Sequence, residues 1–173
     1  NSNIGEGTII GKGTKIEDDC SLYMTKVGEN TTIRKGTISF GNKSKGRVSI
    51  GSNCSVGYYT VLDGTGGLNI GMNNHISSHV TFWTHSSLKN ALRNISPQSK
   101  ESDKNLLIEP ICTEDNVWIG KGTTLFPGVK VGHNSAILPH SLIEKDVKPL
   151  NIIKSEVEIS SMGVPKSWSK KND

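Results

Sequence analysis

Aliphatic residues recur every six positions through most of this chain. From Leu107 the period is unbroken, with Leu107, Thr113, Ile119, Leu125, Val131, Ile137 and Ile143 leading successive frames. The fifth position of each frame holds Ile111, Val117, Thr123, Val129, Ser135, Ser141 or Val147, all small or β-branched. Earlier blocks keep the same period. Ile4, Ile10, Ile16 and Leu22 lead one, Val27 and Ile33 follow after a one-residue slip, and Ile50, Val56 and Leu62 lead a third. Ile70, Ile76 and Phe82 lead a fourth, and Cys20, Cys54 and Thr60 take fifth positions in the earlier frames. The slips fall near Gly28, at residues 42–46 and at residues 63–67, all rich in turn formers.

Six residues make one short strand and a turn. Three such units return the chain to the same face, so a coil takes about 18 residues and stacks on the next. Aliphatic first positions then point inward, and fifth positions point inward near a corner, where only a small side chain fits. A helical stripe with period 3.6 explains none of this. The pattern predicts an all-β fold, a parallel β-helix over residues 1–148, with residues 149–173 as a C-terminal extension. Only residues 164–173 and parts of residues 87–106 are candidates for helix.

Composition supports a narrow core. Hydrophobic residues are 33% and aromatics 5%, too little bulky apolar material for layered helices, and 19 glycines suit tight corners. The net charge of +4 suits a small anionic ligand. It is not gathered into the basic stripes that nucleic-acid binding needs. No window approaches the roughly 20 apolar residues of a membrane-spanning helix. No charged start followed by an apolar core marks a secretory signal. Three cysteines make no disulfide framework. A cytoplasmic protein without membrane insertion is expected.

The frames run to Phe82-Trp83-Thr84-His85 and then stop. Residues 87–106 are polar and aperiodic, with Lys89, Arg93, Lys100 and Lys104 among them. A long loop inside a compact repeat is usually functional or disordered. One that leaves directly after a histidine reads as an arm over a cleft. The chain then re-enters through Asp115-Asn116-Val117-Trp118-Ile119-Gly120 and Phe126-Pro127-Gly128, and carries Glu144-Lys145-Asp146-Val147 and Gly163-Val164-Pro165 near its end.

These segments, in this order, resemble the hexapeptide-repeat acyltransferases, in the branch that acetylates sugars and xenobiotics. The resemblance implies a left-handed parallel β-helix, although generic crossover rules favour the right hand. It implies acetyl-CoA as co-substrate, no required metal, and a homotrimer with sites between subunits. His85 matches the family's catalytic histidine, and Trp118 a tryptophan beside the site across a subunit boundary. Lys145 matches a lysine near the coenzyme. Lys121 and Lys166 are candidates for its phosphates, and Ser141 completes the candidate binding set. The chain departs from the family at Leu138-Pro139-His140, where relatives commonly carry Gly-Ala-Gly, and in a longer connection between Pro149 and Gly163.

The chemistry needs a base for the acceptor's proton, and histidine titrates near neutral pH. His79 lies one frame before His85 and is the runner-up. His75 and His133 read as solvated turn residues. O-acetylation of a sugar or surface-polysaccharide precursor is the expected reaction. N-acetylation of an amino-sugar nucleotide or xenobiotic is the alternative, and a non-catalytic scaffold is a third reading. A zinc enzyme on this repeat needs histidines about one coil apart, and the spacings from His75 to His79 to His85 do not supply them. Cys20 and Cys54 read as inward small residues and Cys112 as outward, none as a catalytic thiol.

Overall fold

The computed structural model describes residues 1–41 and 46–154. Among these residues the strands form three parallel sheets of seven, six and seven strands. The first face stacks Asn3–Ile4, Ser21–Leu22, Ile38–Gly41, Val61–Gly64, Thr81–Phe82, Thr124–Leu125 and Leu142–Ile143. The second stacks Ile9–Ile10, Thr25–Val27, Val48–Ile50, Leu68–Ile70, Ile111–Thr113 and Lys130–Val131. The third stacks Lys15–Ile16, Thr32–Ile33, Ser55–Val56, His75–Ile76, Trp118–Ile119, Ala136–Ile137 and Ile152–Ile153. The chain visits the faces in rotation, so each strand pairs with the one a coil away. This matches the parallel β-helix expected from the repeat, with the left hand that the resemblance implies.

The inward columns are those the period predicts. Ile119, Leu125, Val131 and Ile137 are each 0% exposed. At the outermost coil Ile4 and Ile10 point along the same columns yet stay 48% and 36% exposed. Corner residues bond as well as fit. The hydroxyls of Thr31, Thr37 and Thr123 donate to the carbonyls of Gly51, Gly57 and Leu138 on the next coil. Cys20 and Cys54 replace threonine here, their thiols donating to Arg34 O and Gly71 O. Burial raises both thiol pKa values, which keeps them protonated and inert.

Two details differ from the sequence reading. The first concerns where the coil resumes. Leu107 leads a frame by period, but Leu107–Ile108 pairs antiparallel with His85–Ser86 outside the three faces, and the second face resumes at Ile111. The second concerns the end of the ladder. Ile152–Ile153 still pairs with Ala136–Ile137, so a rung lies beyond the division expected at residue 148. The arm itself holds a short helix, Leu88–Leu92, and a 3-10 turn, Ser102–Asn105. Asn90 ties them together by donating from Nδ2 to Ser102 O at 2.9 Å. The helix expected over residues 164–173 lies outside the described residues.

Coils pack closely enough to test by substitution. A Cβ added to Gly120 would stand 2.5 Å from Pro139 N and 2.8 Å from Leu138 C, both backbone atoms that cannot rotate away. Gly120→Ala is therefore expected to destabilise by about 1–3 kcal/mol, as overpacking does. Urea unfolding followed by circular dichroism reads this, and an unchanged midpoint would contradict the packing described.

Candidate active site

The site begins at a buried carboxylate. Asp63 follows Leu62 on the first face, one coil below the strand that ends at Phe82. It is 2% exposed and meets three donors. Its Oδ1 accepts from Thr65 N at 2.8 Å, and its Oδ2 accepts from Thr84 N at 2.9 Å. The same Oδ2 lies 2.6 Å from Nδ1 of His85. The surrounding turn is locked across coils. Gly66 N donates to Thr84 Oγ1 at 2.9 Å, and Glu109 N donates to Thr84 O at 3.0 Å. Where the arm leaves and returns, the backbone is therefore fixed by hydrogen bonds.

Burial pushes the Asp63 carboxyl pKa up, but hydrogen bonds from Thr65, His85 and Thr84 outweigh it and hold it below the usual aspartate value. An ionised carboxylate only accepts hydrogen bonds, so Nδ1 of His85 carries the proton in this pair. Nε2 is then the basic nitrogen. The His85 side chain is 34% exposed against 3% for Asp63, so the ring is anchored at one end and open at the other. A histidine with one nitrogen fixed and one basic and accessible is equipped to remove a proton.

The sequence left open which group orients His85. Asp63 is that group. It stands at the second position of its frame, where an outward side chain is expected, inside a slip that read only as a turn. The usable signal was alignment of two breaks, since residues 63–67 and the end of the frames at His85 lie one coil apart.

The other histidines are placed elsewhere. His79 sits at a corner with φ of 58° and stacks on Tyr59, ring centres 5.5 Å apart. His75 is exposed on strand His75–Ile76, not in a turn as expected. His133 is exposed in a turn, its N–H donating to Glu114 Oε2 at 2.8 Å. The His140 ring lies over Gly122, where a Cβ would come within 2.6 Å of its Nδ1. Among the described residues, no group of three His, Cys, Asp or Glu could hold a metal ion.

One chain does not gather the whole candidate set. Trp118 is 40% exposed on the third face, beside His75 on the next rung, whereas His85 leaves from the end of the first. Lys121 is exposed at the corner after Trp118–Ile119, and its carbonyl accepts from His140 N at 2.8 Å. Ser141 is 1% exposed, and its hydroxyl donates to Leu138 O at 2.7 Å, so its side chain faces the corner of the core. Lys145 is exposed on the last coil beside a cavity of about 290 Å³ shared with Leu142 and Ile153. Lys166 lies outside the described residues. Among the described residues, no helix is long and apolar enough to cross a membrane.

No protein-family model matches the chain. Over 78 residues it is 32% identical to the galactoside O-acetyltransferase of Lactococcus lactis subsp. lactis (strain IL1403), covering 45% of this chain and 37% of the relative. Over 48 residues it is 42% identical to the galactoside O-acetyltransferase of Escherichia coli (strain K12), covering 28% and 23%. These alignments span little more than a third of the first relative and less than a quarter of the second. Among solved structures it is similar to AntD, an N-acyltransferase from Bacillus cereus. A complex with dTDP and coenzyme A superposes with a TM-score of 0.73 at 24% identity, covering 83% of this chain and 77% of that one. A complex with dTDP-4-amino-4,6-dideoxyglucose and coenzyme A gives 0.68 at 25% identity, covering 80% and 74%. The fold is thus shared with AntD over most of both chains, whereas the likeness to the galactoside O-acetyltransferases covers less than half of this chain.

Proposed function

We propose that this protein transfers an acetyl group from acetyl-CoA to a hydroxyl of a sugar or surface-polysaccharide precursor in the cytoplasm. The observation that carries the reading is the His85–Asp63 pair, one anchored and one accessible nitrogen where the arm leaves the repeat. Nε2 of His85 takes the acceptor's proton as its oxygen attacks the thioester carbonyl. The C–S bond breaks as the tetrahedral adduct collapses, and the proton passes from His85 to the departing sulfur. Asp63 is the positioning residue, holding the ring's tautomer and stabilising the imidazolium that forms. The likeness to galactoside O-acetyltransferases supports the hydroxyl as acceptor, and the coenzyme A bound in a complex of AntD supports the donor only.

A homotrimer completes the proposal. His85 and Trp118 lie on different faces of one chain, so they meet only if neighbouring copies pack side by side. Exposed Lys121 and Lys145 then supply point charges for the phosphates of the coenzyme, with Lys166 a further candidate. Light scattering is expected to give three times 18.7 kDa. A monomer at working concentration removes this part of the proposal.

The likeness to AntD favours a second reading, transfer to the amine of an amino-sugar nucleotide. His85 serves either acceptor, since both lose a proton. A transfer screen with acetyl-CoA against sugars, amino sugars and nucleotide sugars separates the two. Ester products support the first reading and amide products the second. No product with any acceptor refutes both.

A further inference from the structure

The third face carries a groove of about 320 Å³ whose lining includes Arg34, Tyr58, His75, Ser77 and Trp118. His75 and Trp118 are direct rung partners, and Ser55 is the partner below His75. Rungs of a sheet stand about 4.8 Å apart, so these side chains form a continuous surface. Tyr58 is 43% exposed and Trp118 40%, bare rings among serine hydroxyls. Such rings offer an apolar face with a polar tip. A sugar ring is the complementary shape, with C–H faces that lie on aromatic rings and hydroxyls that bond to serines.

Charge narrows the ligand further. Of the residues lining the groove, Arg34 alone carries a permanent charge. Its guanidinium is held in place, with Nη1 donating to Glu17 Oε1 at 2.6 Å and the group 5.9 Å from the centre of the Tyr58 ring. Glu17 occupies one part of the fork, and a guanidinium has five N–H donors in a fixed plane. A fixed guanidinium at the end of an aromatic groove matches a planar or tetrahedral anion attached to a ring.

We propose that this groove binds a sugar ring bearing an anionic substituent, carboxylate or phosphate, with the ring against Trp118 and Tyr58 and the anion on Arg34. The inference rests on the acyl-transfer reading only in making this ring the acceptor, because binding needs no acetyl donor.

The test is titration of the full chain with glucuronate, glucose 6-phosphate and glucose, without acetyl-CoA, followed by saturation-transfer NMR. At least one charged sugar is expected to bind about tenfold more tightly than glucose, a difference of about 1.4 kcal/mol. Whichever charged sugar is favoured names the anion. Arg34→Gln should bring both charged sugars to the level of glucose, Arg34→Lys should keep much of the preference, and Trp118→Ala should weaken all three. Lys35→Gln should change nothing, since Lys35 pairs with Asp19 at 3.2 Å and does not line the groove. Equal affinity for all three sugars overturns the proposal, as does a preference that survives Arg34→Gln. It is overturned too if no sugar binds and Trp118→Ala dissociates the assembly in light scattering, because a second copy then covers the groove. A chain that binds charged sugars but transfers no acetyl group refutes the transferase reading alone. A chain that acetylates neutral sugars without any dependence on Arg34 refutes this inference alone.

Discussion

His85→Ala is expected to lower kcat about 10²–10⁴-fold, the usual worth of a positioned base, while the protein folds normally. The ring is a third exposed and fills no inward column, so its loss removes chemistry and little packing. Affinity for acetyl-CoA should hardly change. Asp63→Asn should also lower kcat, by about 10²-fold or more, because an amide no longer selects the tautomer with a basic Nε2. A structural role alone would not alter the pH–rate profile, whereas this variant should distort it. His79→Ala is the control and should cost little, since that ring is exposed and stacked on Tyr59. If His79→Ala abolishes turnover and His85→Ala retains it, the base has been assigned to the wrong histidine.

Asp63 also predicts a stability change with a definite sign. Its carboxyl pKa is lower in the folded chain, so folding favours the ionised form. That contribution is complete above the pKa of an unfolded aspartate, about 3.9. It disappears as pH falls through the lower folded value. The stability gap between wild type and Asp63→Asn should therefore be large at pH 7 and shrink below about pH 4. Urea titrations at both pH values measure it.

Phe82→Ala is expected to cost about 3–5 kcal/mol, the range for removing a buried aromatic ring. Phe82 is 0% exposed and sits in the inward column between Leu62 and Leu125. Neighbouring coils cannot collapse into the gap, because their spacing is set by the backbone ladder. Trp83→Ala, next in sequence but 49% exposed, should cost under about 1 kcal/mol. Urea unfolding of the two variants decides. Similar small losses for both would mean that the column does not carry the core.

The columns were legible because the six-residue period is a geometric property of the coil, and an aliphatic residue off register would meet water. His85 was legible because it ends the frames. Ser39 shows what the period conceals. It occupies an inward site between Leu22 and Leu62, tolerated because its hydroxyl lies 2.6 Å from that of Thr25. A polar residue at a first position looks like a break unless its partner, 14 residues back, is known. Asp63 was hidden for the same reason. Its burial depends on donors from Thr65, Thr84 and His85, which only the stacking brings together. The antiparallel ribbon beginning at His85 was hidden too, because Leu107 keeps the period while leaving the coil.

The arm has a consequence for how the chain assembles itself. Most coils close by joining residues 17 to 23 positions apart, but the coil interrupted by the arm joins residues 43 apart, as between Met72 and Asp115. Closure entropy grows with the logarithm of length, so this step costs roughly 0.8 kcal/mol more than an ordinary coil. Nucleation then favours two separate seeds, one on each side of the arm, each zipping outward by short steps. Their junction forms last, and it is at this junction that His75 comes beside Trp118 and Met72 bonds to Asp115. The pairing of His75 with Trp118 thus reports that the two halves have docked, whereas Asp63 and His85, only 22 residues apart, can meet within the first half alone.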